Sequence, residues 1–325
     1  MAKKVIAVTD SPFPNLDLAA ATVAKVDGEL RQAKAGTPEA ILEVARDADA
    51  ILTTYAKVTT EVVQALTKCK IIARFGIGVD NVDIDMATKK GIVVTKVPDY
   101  CIDEVSDHAV ALLLSVVRKI PYSNKLVQAS DWRMPAVVPI KRLRGTTLGL
   151  VGFGRIPQLV APKAQAFGMN VVTYDPFVPK DVLAKANVKH VELEELLKTS
   201  DYVSLHCPLM PETKHIMNAK TFAMMKPGSY IVNTGRGPLI DEAALAAALD
   251  KGQLAGAALD VVEKEPPTDS PILGRDNVII TPHTAFYSEE ALLDLQAKAA
   301  EEVVRVLSGQ APKNPVNPEA LKAAG

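Results

Sequence analysis

Residues 146–175 read TTLGLVGFGRIPQLVAPKAQAFGMNVVTYD, and no other stretch restricts the fold as tightly. The apolar run Leu148-Gly149-Leu150-Val151 is short enough for a buried parallel strand. Gly152 and Gly154 follow at once, then a helical segment over 156–167, then a second strand over 170–174 that ends on Asp175. Strand, glycine turn, helix, strand and acid form the order of a dinucleotide-binding βαβ unit. Each part has a physical reason. Gly152 permits the tight turn out of the strand. Gly154, lacking a Cβ, lets a pyrophosphate approach the backbone. The helix then offers unpaired N–H groups and its positive dipole end to the phosphates. Asp175 is placed to accept both ribose hydroxyls, and its charge would repel a 2′-phosphate, so NAD is expected rather than NADP.

The motif departs from its usual form at the third glycine, which Pro157 replaces. Proline in a first helical turn lacks an N–H that would be unpaired anyway, so the turn survives. Pro162 falls inside the helix and removes a hydrogen bond, at about 3 kcal/mol if unrelieved. An irregular helix is therefore expected after the glycine turn.

The rest of the chain fits around this unit. Its 325 residues suit two domains. Hydrophobic residues make up 48% and the net charge is −1, which leaves no electrostatic footprint for nucleic acid or anionic membrane. No secretory pattern precedes the strand-like Val5-Ile6-Ala7-Val8, and no apolar run reaches membrane-spanning length. Cys69, Cys101 and Cys207 are odd in number and widely spaced, as expected of reduced thiols in a cytoplasmic protein, with no metal-ligand spacing. Each also reads as a small buried hydrophobe.

In the first hundred residues, strand-like segments at 4–8, 50–54, 71–75 and 92–94 alternate with helical ones at 38–48 and 60–66. That is an α/β unit with a parallel sheet. Its first strand ends in Asp10-Ser11-Pro12 rather than a glycine turn, so it is not expected to bind the nucleotide. Arg74-Phe75-Gly76-Ile77-Gly78-Val79-Asp80-Asn81 lies just past a strand end. Its glycines suit both an ordinary turn and a nest for a carboxylate.

A long helix is expected over 102–119, then a looser connection to Arg144 in which Trp132 reads as a packing anchor. From 146 to about 285 the alternation resumes, with strands expected at 202–205, 230–234, 257–260 and 278–280 and helices at 193–199 and 241–251, the latter capped by Asp241. Strand ends carry His206-Cys207-Pro208, Thr234-Gly235-Arg236-Gly237, Asp260 and Pro282-His283, which should line one crevice beside the cofactor. The helix over 288–307 is expected to cover the first unit, and residues 311–318 to form a loosely ordered end. His108 reads as helix packing, and His190 and His215 as exposed. No appended regulatory domain is expected.

With these residues in view, the chain resembles the D-isomer-specific 2-hydroxyacid dehydrogenases from about residue 50 to 316. The signatures are Gly76-Ile77-Gly78-Val79-Asp80-Asn81-Val82-Asp83, the glycine turn, Asn233-Thr234-Gly235-Arg236-Gly237, Ala258-Leu259-Asp260-Val261 through Glu265-Pro266, and Thr281-Pro282-His283. His206-Cys207 and Phe286-Tyr287-Ser288 are most similar to the branch that holds the C-terminal-binding-protein corepressors and phosphoglycerate dehydrogenases.

The resemblance implies two doubly wound parallel-sheet domains. A Rossmann NAD domain at 100–285 would be inserted into a flavodoxin-like substrate domain at 1–99 and 286–325. It implies a catalytic trio of Arg236, Glu265 and His283, and it implies that the backbone of Ile77 and Gly78, with Arg236 and His283, holds the substrate. Cofactor contacts are expected at Gly152, Gly154, Arg155, Ile156, Asp175, His206, Cys207, Pro208, Thr213, Thr234, Gly235 and Asp260, the last to the nicotinamide amide. A homodimer through the NAD domain is implied, with 102–144 as the embracing arm.

The leading expectation is an NAD-dependent oxidoreductase of small 2-oxo acids such as glyoxylate or hydroxypyruvate. One rival is D-3-phosphoglycerate oxidation, disfavoured by Thr53, where such enzymes usually have an arginine. Others are an NAD(H)-sensing scaffold without turnover, and an enzyme for larger oxo acids lined by Tyr55, Phe75 and Tyr100.

Overall fold

Parallel strands sort into two sheets in the computed structural model, which describes residues 3–322. The strands are β1 (Lys4–Val8), β2 (Gly28–Gln32), β3 (Ala50–Thr53), β4 (Ile71–Arg74), β5 (Val93–Thr95), β6 (Thr147–Val151), β7 (Asn170–Tyr174), β8 (Lys189–His190), β9 (Tyr202–Leu205), β10 (Ser229–Asn233), β11 (Leu254–Leu259) and β12 (Val278–Ile280). Residues 3–100 with 288–322 form one unit, and residues 101–287 the other.

The first unit has sheet order β2-β1-β3-β4-β5, the flavodoxin-like order. β3 and β5 are buried along their whole length and β1 and β4 nearly so, as their apolar runs require of a sheet covered on both faces. One face carries Ile41, Ala45, Val62, Val63 and Ala87 from three short helices. Helix Glu289–Leu307 packs on β3 and β4 on the other face, as its apolar stripe predicts. Ser288 caps it, accepting from the Ala291 N–H at 2.9 Å. β2 escaped the sequence reading because its residues, GELRQ, form a polar edge strand that buries nothing fully.

The end of the chain corrects another expectation. Val316 N donates to Val94 O at 2.8 Å, and Val94 N donates to Asn317 Oδ1 at 2.7 Å. Asn317 is fully buried, and its Nδ2 donates to Ile92 O and Thr88 Oγ1. The expected loose end is therefore fastened to β5, because a buried amide with every group bonded is costly to undock.

The second unit has order β12-β11-β10-β9-β6-β7-β8. Counted from β6 this is the Rossmann order with a seventh strand, and the order reverses between β6 and β9. Leu148 and Leu150 pack with Leu112, Leu113, Val116, Val160 and Ala164 on one face. Val151, Val203 and Leu205 pack with Leu196 and Leu245 on the other. Each such aliphatic side chain contributes roughly 2 kcal/mol of burial. The site residues thus stand on a sheet anchored on both sides.

Two expectations about this unit are corrected. Helix Arg155–Ala166 runs without interruption across Pro162. Pro162 and Gln158 lie on its exposed side, so water can hydrate the carbonyl that proline leaves without a partner. Trp132 is 85% exposed and anchors nothing in the described chain, because residues 129–146 cross the surface outside any sheet. Among the described residues, no helix is long and apolar enough to cross a membrane.

Candidate active site

The glycine turn is built as its sequence demands. Gly152 has φ +95, and a Cβ there would stand 2.8 Å from Cys207 N and 2.9 Å from His206 C. Backbone conformation and close approach both require glycine at this point. Gly154 caps helix Arg155–Ala166, and a Cβ on it would meet nothing within 4 Å. Arg155 is exposed and Ile156 half-buried in the first turn, with Pro157 as its third residue. Asp175 is tied to this turn. Its Oδ2 accepts from Phe153 N at 2.7 Å and its Oδ1 from Phe177 N at 2.8 Å.

Past the end of β9, His206 N donates to Val151 O at 2.8 Å, and the ring Nε2 lies 2.8 Å from Ser204 Oγ. Burial pushes the His206 imidazole down to about 4, so this ring is neutral near pH 7 and is no proton donor there. Burial likewise pushes the Cys207 thiol up to about 11. Thr213 Oγ1 donates to Pro208 O at 2.6 Å and accepts from Met210 N, closing the turn over 208–213. Past the end of β10, Thr234 Oγ1 is buried without a partner among the described residues. Gly152, Asp175, His206 and Thr234 thus follow the ends of neighbouring strands β6, β7, β9 and β10. A dinucleotide fits these residues: an open approach at Gly154, an acid one strand away, and a buried hydroxyl available to bond.

The second half of the site stands on the ends of β10, β11 and β12. Asn233 is fully buried; its Oδ1 accepts from Gly235 N at 3.0 Å and its Nδ2 donates to Arg236 O at 2.8 Å. These bonds shape the turn that presents Arg236, whose guanidinium also donates to Gly235 O at 2.9 Å. Next to it, a Cβ on Gly237 would stand 1.9 Å from Val262 O. Only glycine lets the two loops lie in contact. The second loop carries Glu265, whose Oε1 accepts from Val262 N at 3.1 Å and whose Oε2 lies 2.7 Å from His283 Nδ1. Burial alone would raise the Glu265 carboxyl. The His283 hydrogen bond and charge, the Val262 N–H and the charge of Arg236 outweigh it and hold the carboxyl below its ordinary value. Glu265 thereby holds the His283 ring in place through Nδ1.

His283 has φ +52, an uncommon conformation for a residue with a side chain. Its N–H donates to Asp260 O at 2.8 Å and to Thr281 O at 3.0 Å. The buried Asp260 carboxylate accepts from Thr281 Oγ1 at 2.6 Å, Thr284 N at 2.9 Å and Ala285 N at 2.9 Å. Asp260 therefore holds the loop that carries His283. His108 corrects its reading as helix packing: its Nε2 lies 2.9 Å from Thr281 Oγ1 and 3.6 Å from Asp260 Oδ1. His215 is half-buried rather than exposed, with Nε2 2.5 Å from Glu263 Oε1, while His190 is exposed. His108 went unread as a site residue, because its signal lies in the distance between its helix and the loop after β12, which a linear motif does not encode.

Ile77 and Gly78 belong to the first unit, half-exposed in the turn after β4. Asn81 Nδ2 fastens that turn to Thr54 O at 3.0 Å and Ala56 O at 2.9 Å. Thr53 is fully buried and bonded to Thr9 and Ala56. Phe75 is core, edge-on to Phe13 at 4.9 Å, and Tyr100 is buried; Tyr55 is exposed.

Comparison with known proteins gives the family. Residues 110–285 match the family model described as the NAD binding domain of D-isomer specific 2-hydroxyacid dehydrogenase. D-3-phosphoglycerate dehydrogenase of Methanocaldococcus jannaschii is 42% identical over 292 residues, covering 89% of this chain and 56% of that one. The chain spans about half the length of the phosphoglycerate dehydrogenases it matches. Glyoxylate reductase of Thermococcus litoralis is 38% identical over 291 residues, covering 87% of this chain and 88% of that one. Among solved structures, D-lactate dehydrogenase from Aquifex aeolicus, complexed with NAD and lactic acid, superposes with a TM-score of 0.85 at 29% identity, covering 98% of each chain.

Proposed function

Because the chain belongs to the D-isomer specific 2-hydroxyacid dehydrogenases, we propose that it is an NAD-dependent oxidoreductase interconverting a small D-2-hydroxy acid and its 2-oxo acid, with glyoxylate or hydroxypyruvate as the substrate type. The observation that carries this is the 2.7 Å Glu265–His283 pair with the charge of Arg236 beside it, on strand ends next to the glycine turn. Arg236 offers a planar fork for the carboxylate and carbonyl oxygens of the substrate. When bound, the nicotinamide supplies the hydride for reduction or accepts it in oxidation. With Nδ1 held by Glu265, proton exchange with the substrate oxygen falls to His283 Nε2, which donates in reduction and accepts in oxidation. Gly152, Gly154, Asp175 and Thr234 would seat the cofactor, and Asp175 favours NAD over NADP.

The test is a screen of NADH and NADPH with glyoxylate, hydroxypyruvate, pyruvate, phenylpyruvate and 3-phosphohydroxypyruvate, read by loss of reduced-cofactor absorbance. Turnover with NADH is expected, and kcat/KM should fall by roughly 10²–10⁴ in each of Arg236→Ala and His283→Ala. NADH binding without turnover on any oxo acid would replace the enzyme by a cofactor-sensing scaffold. A second reading, D-3-phosphoglycerate oxidation, is favoured by the 42% identity to the archaeal enzyme of that name. Against it stands Thr53, a buried hydroxyl where a phosphate would call for a cation. Preference for 3-phosphohydroxypyruvate in the same screen would decide for it.

A homodimer is part of the proposal. Ile120, Trp132 and Met134 are 55%, 85% and 70% exposed on one connecting segment, apolar surface that a second copy would cover. Light scattering should give about twice the 34.7 kDa chain mass, and a single-chain mass would refute it. A cytoplasmic location is part of the proposal, supported by Cys69 and Cys207, which form no disulfide.

A further inference from the structure

Resting on the dehydrogenase reading above, we infer that His108 is a positioning residue for His283, acting through Thr281 and Asp260 as a polar strut between helix Ile102–Val117 and the loop that carries the proposed acid–base group. The hydrogen-bond chemistry fixes the direction of this strut. Thr281 Oγ1 donates to Asp260 Oδ1 at 2.6 Å and so spends its single hydrogen there. The same oxygen can then only accept from His108 Nε2, 2.9 Å away, and that nitrogen carries the hydrogen.

From Asp260 the strut spreads into the loop. The carboxylate takes the Thr284 and Ala285 N–H groups and the carbonyl takes the His283 N–H, so one buried acid holds residues 281, 283, 284 and 285. A buried carboxylate needs such donors, because burial leaves it no water to bond. His283 needs the loop, because φ +52 in a residue with a side chain persists only where its surroundings impose it. The loop's own donors tie it to the end of β11, and His108 adds a second tie, to the helix that packs on β10, β11 and β12. Its ring reaches Thr281 Oγ1 at 2.9 Å and lies 3.6 Å from Asp260 Oδ1, so its action runs through the loop.

The full chain tests this with two substitutions. His108→Leu keeps bulk and removes the donor, while His108→Gln keeps an N–H at similar reach. Two readouts are taken: amide hydrogen exchange over 281–285, and steady-state kinetics with NADH and glyoxylate. In His108→Leu, exchange over that segment should rise at least roughly tenfold, and kcat should fall about tenfold with KM and the NADH Kd within about threefold. His108→Gln should recover both. Wild-type exchange and kcat in the leucine variant would overturn the inference. So would equal loss in both variants with exchange raised throughout β6 and β9, which marks a packing role. If the wild-type chain turns over no oxo acid, the dehydrogenase reading fails, and the exchange measurement alone decides the role of His108.

Discussion

Each of the two units is built on its own parallel sheet, and they differ at the end of the first strand. After β1 the chain continues Thr9-Asp10-Ser11-Pro12, and Asp10 accepts from Thr54 N at 3.0 Å and Tyr55 N at 2.6 Å. The first unit satisfies these backbone amides with its own carboxylate. After β6 the chain continues Gly152-Phe153-Gly154, the carboxylate is displaced one strand to Asp175, and the Cβ position of Gly154 faces open space. One architecture thus yields a self-closed strand end and a ligand-ready one. The difference lies in two or three turn residues rather than in the sheet, which is why fold alone does not assign a site.

The sharpest way to break this contrast is a pair of glycine substitutions. Gly152→Ala puts a Cβ against the Cys207 backbone at φ +95, so it should cost about 2–4 kcal/mol of stability and abolish NADH binding. Gly154→Ala meets no protein atom, so its melting temperature should match wild type while the NADH Kd rises at least roughly tenfold. Equal loss of stability in both would show that the turn is structural only. In the first unit, Asp10→Ala leaves two amides without their acceptor and should cost about 2 kcal/mol in denaturant titration. The NADH Kd should not move, and if it does, the two strand ends do not act separately.

The smallest expected effect concerns pH. His206 is held at about 4, below an unfolded value near 6.5. Between these values the unfolded chain binds the extra proton, so the contribution of His206 is intact above about pH 6.5 and is lost as pH falls toward 4. The loss by pH 5 should be on the order of 1–2 kcal/mol, and His206→Gln should flatten the slope of urea stability between pH 7 and 5. An unchanged slope would place the acid sensitivity elsewhere.

Much of this was legible from residue order. Fully buried strands such as β3 and β9 announce themselves as short apolar β-branched runs, and Asp241 accepts from Ala244 N at 3.0 Å as a cap should. Arg236, Glu265 and His283 stand out in the sequence because each sits in a short motif, and the structure brings Glu265 and His283 within 2.7 Å of each other. What escaped depended on tertiary contact. The polar edge strand β2 has no periodic signal, and Pro162 lies on the side of its helix where water relieves it. Asn317 looks like a tail residue until β5 lies beside it. His108 stands on an apolar helix, and its partner is 173 residues away.

The contact of Gly237 with the Val262 backbone bears on how this protein can be altered. The loops on either side of that seam are separated by less than a methyl group, so no side chain can enter position 237 unless both loops yield together. Variation that retunes the substrate must therefore accumulate in the flanks of the loops. The seam fixes the distance over which the charge of Arg236 is felt at Glu265. A library that randomises the two loops but holds residues 237 and 262 constant should retain far more active members than one that frees them.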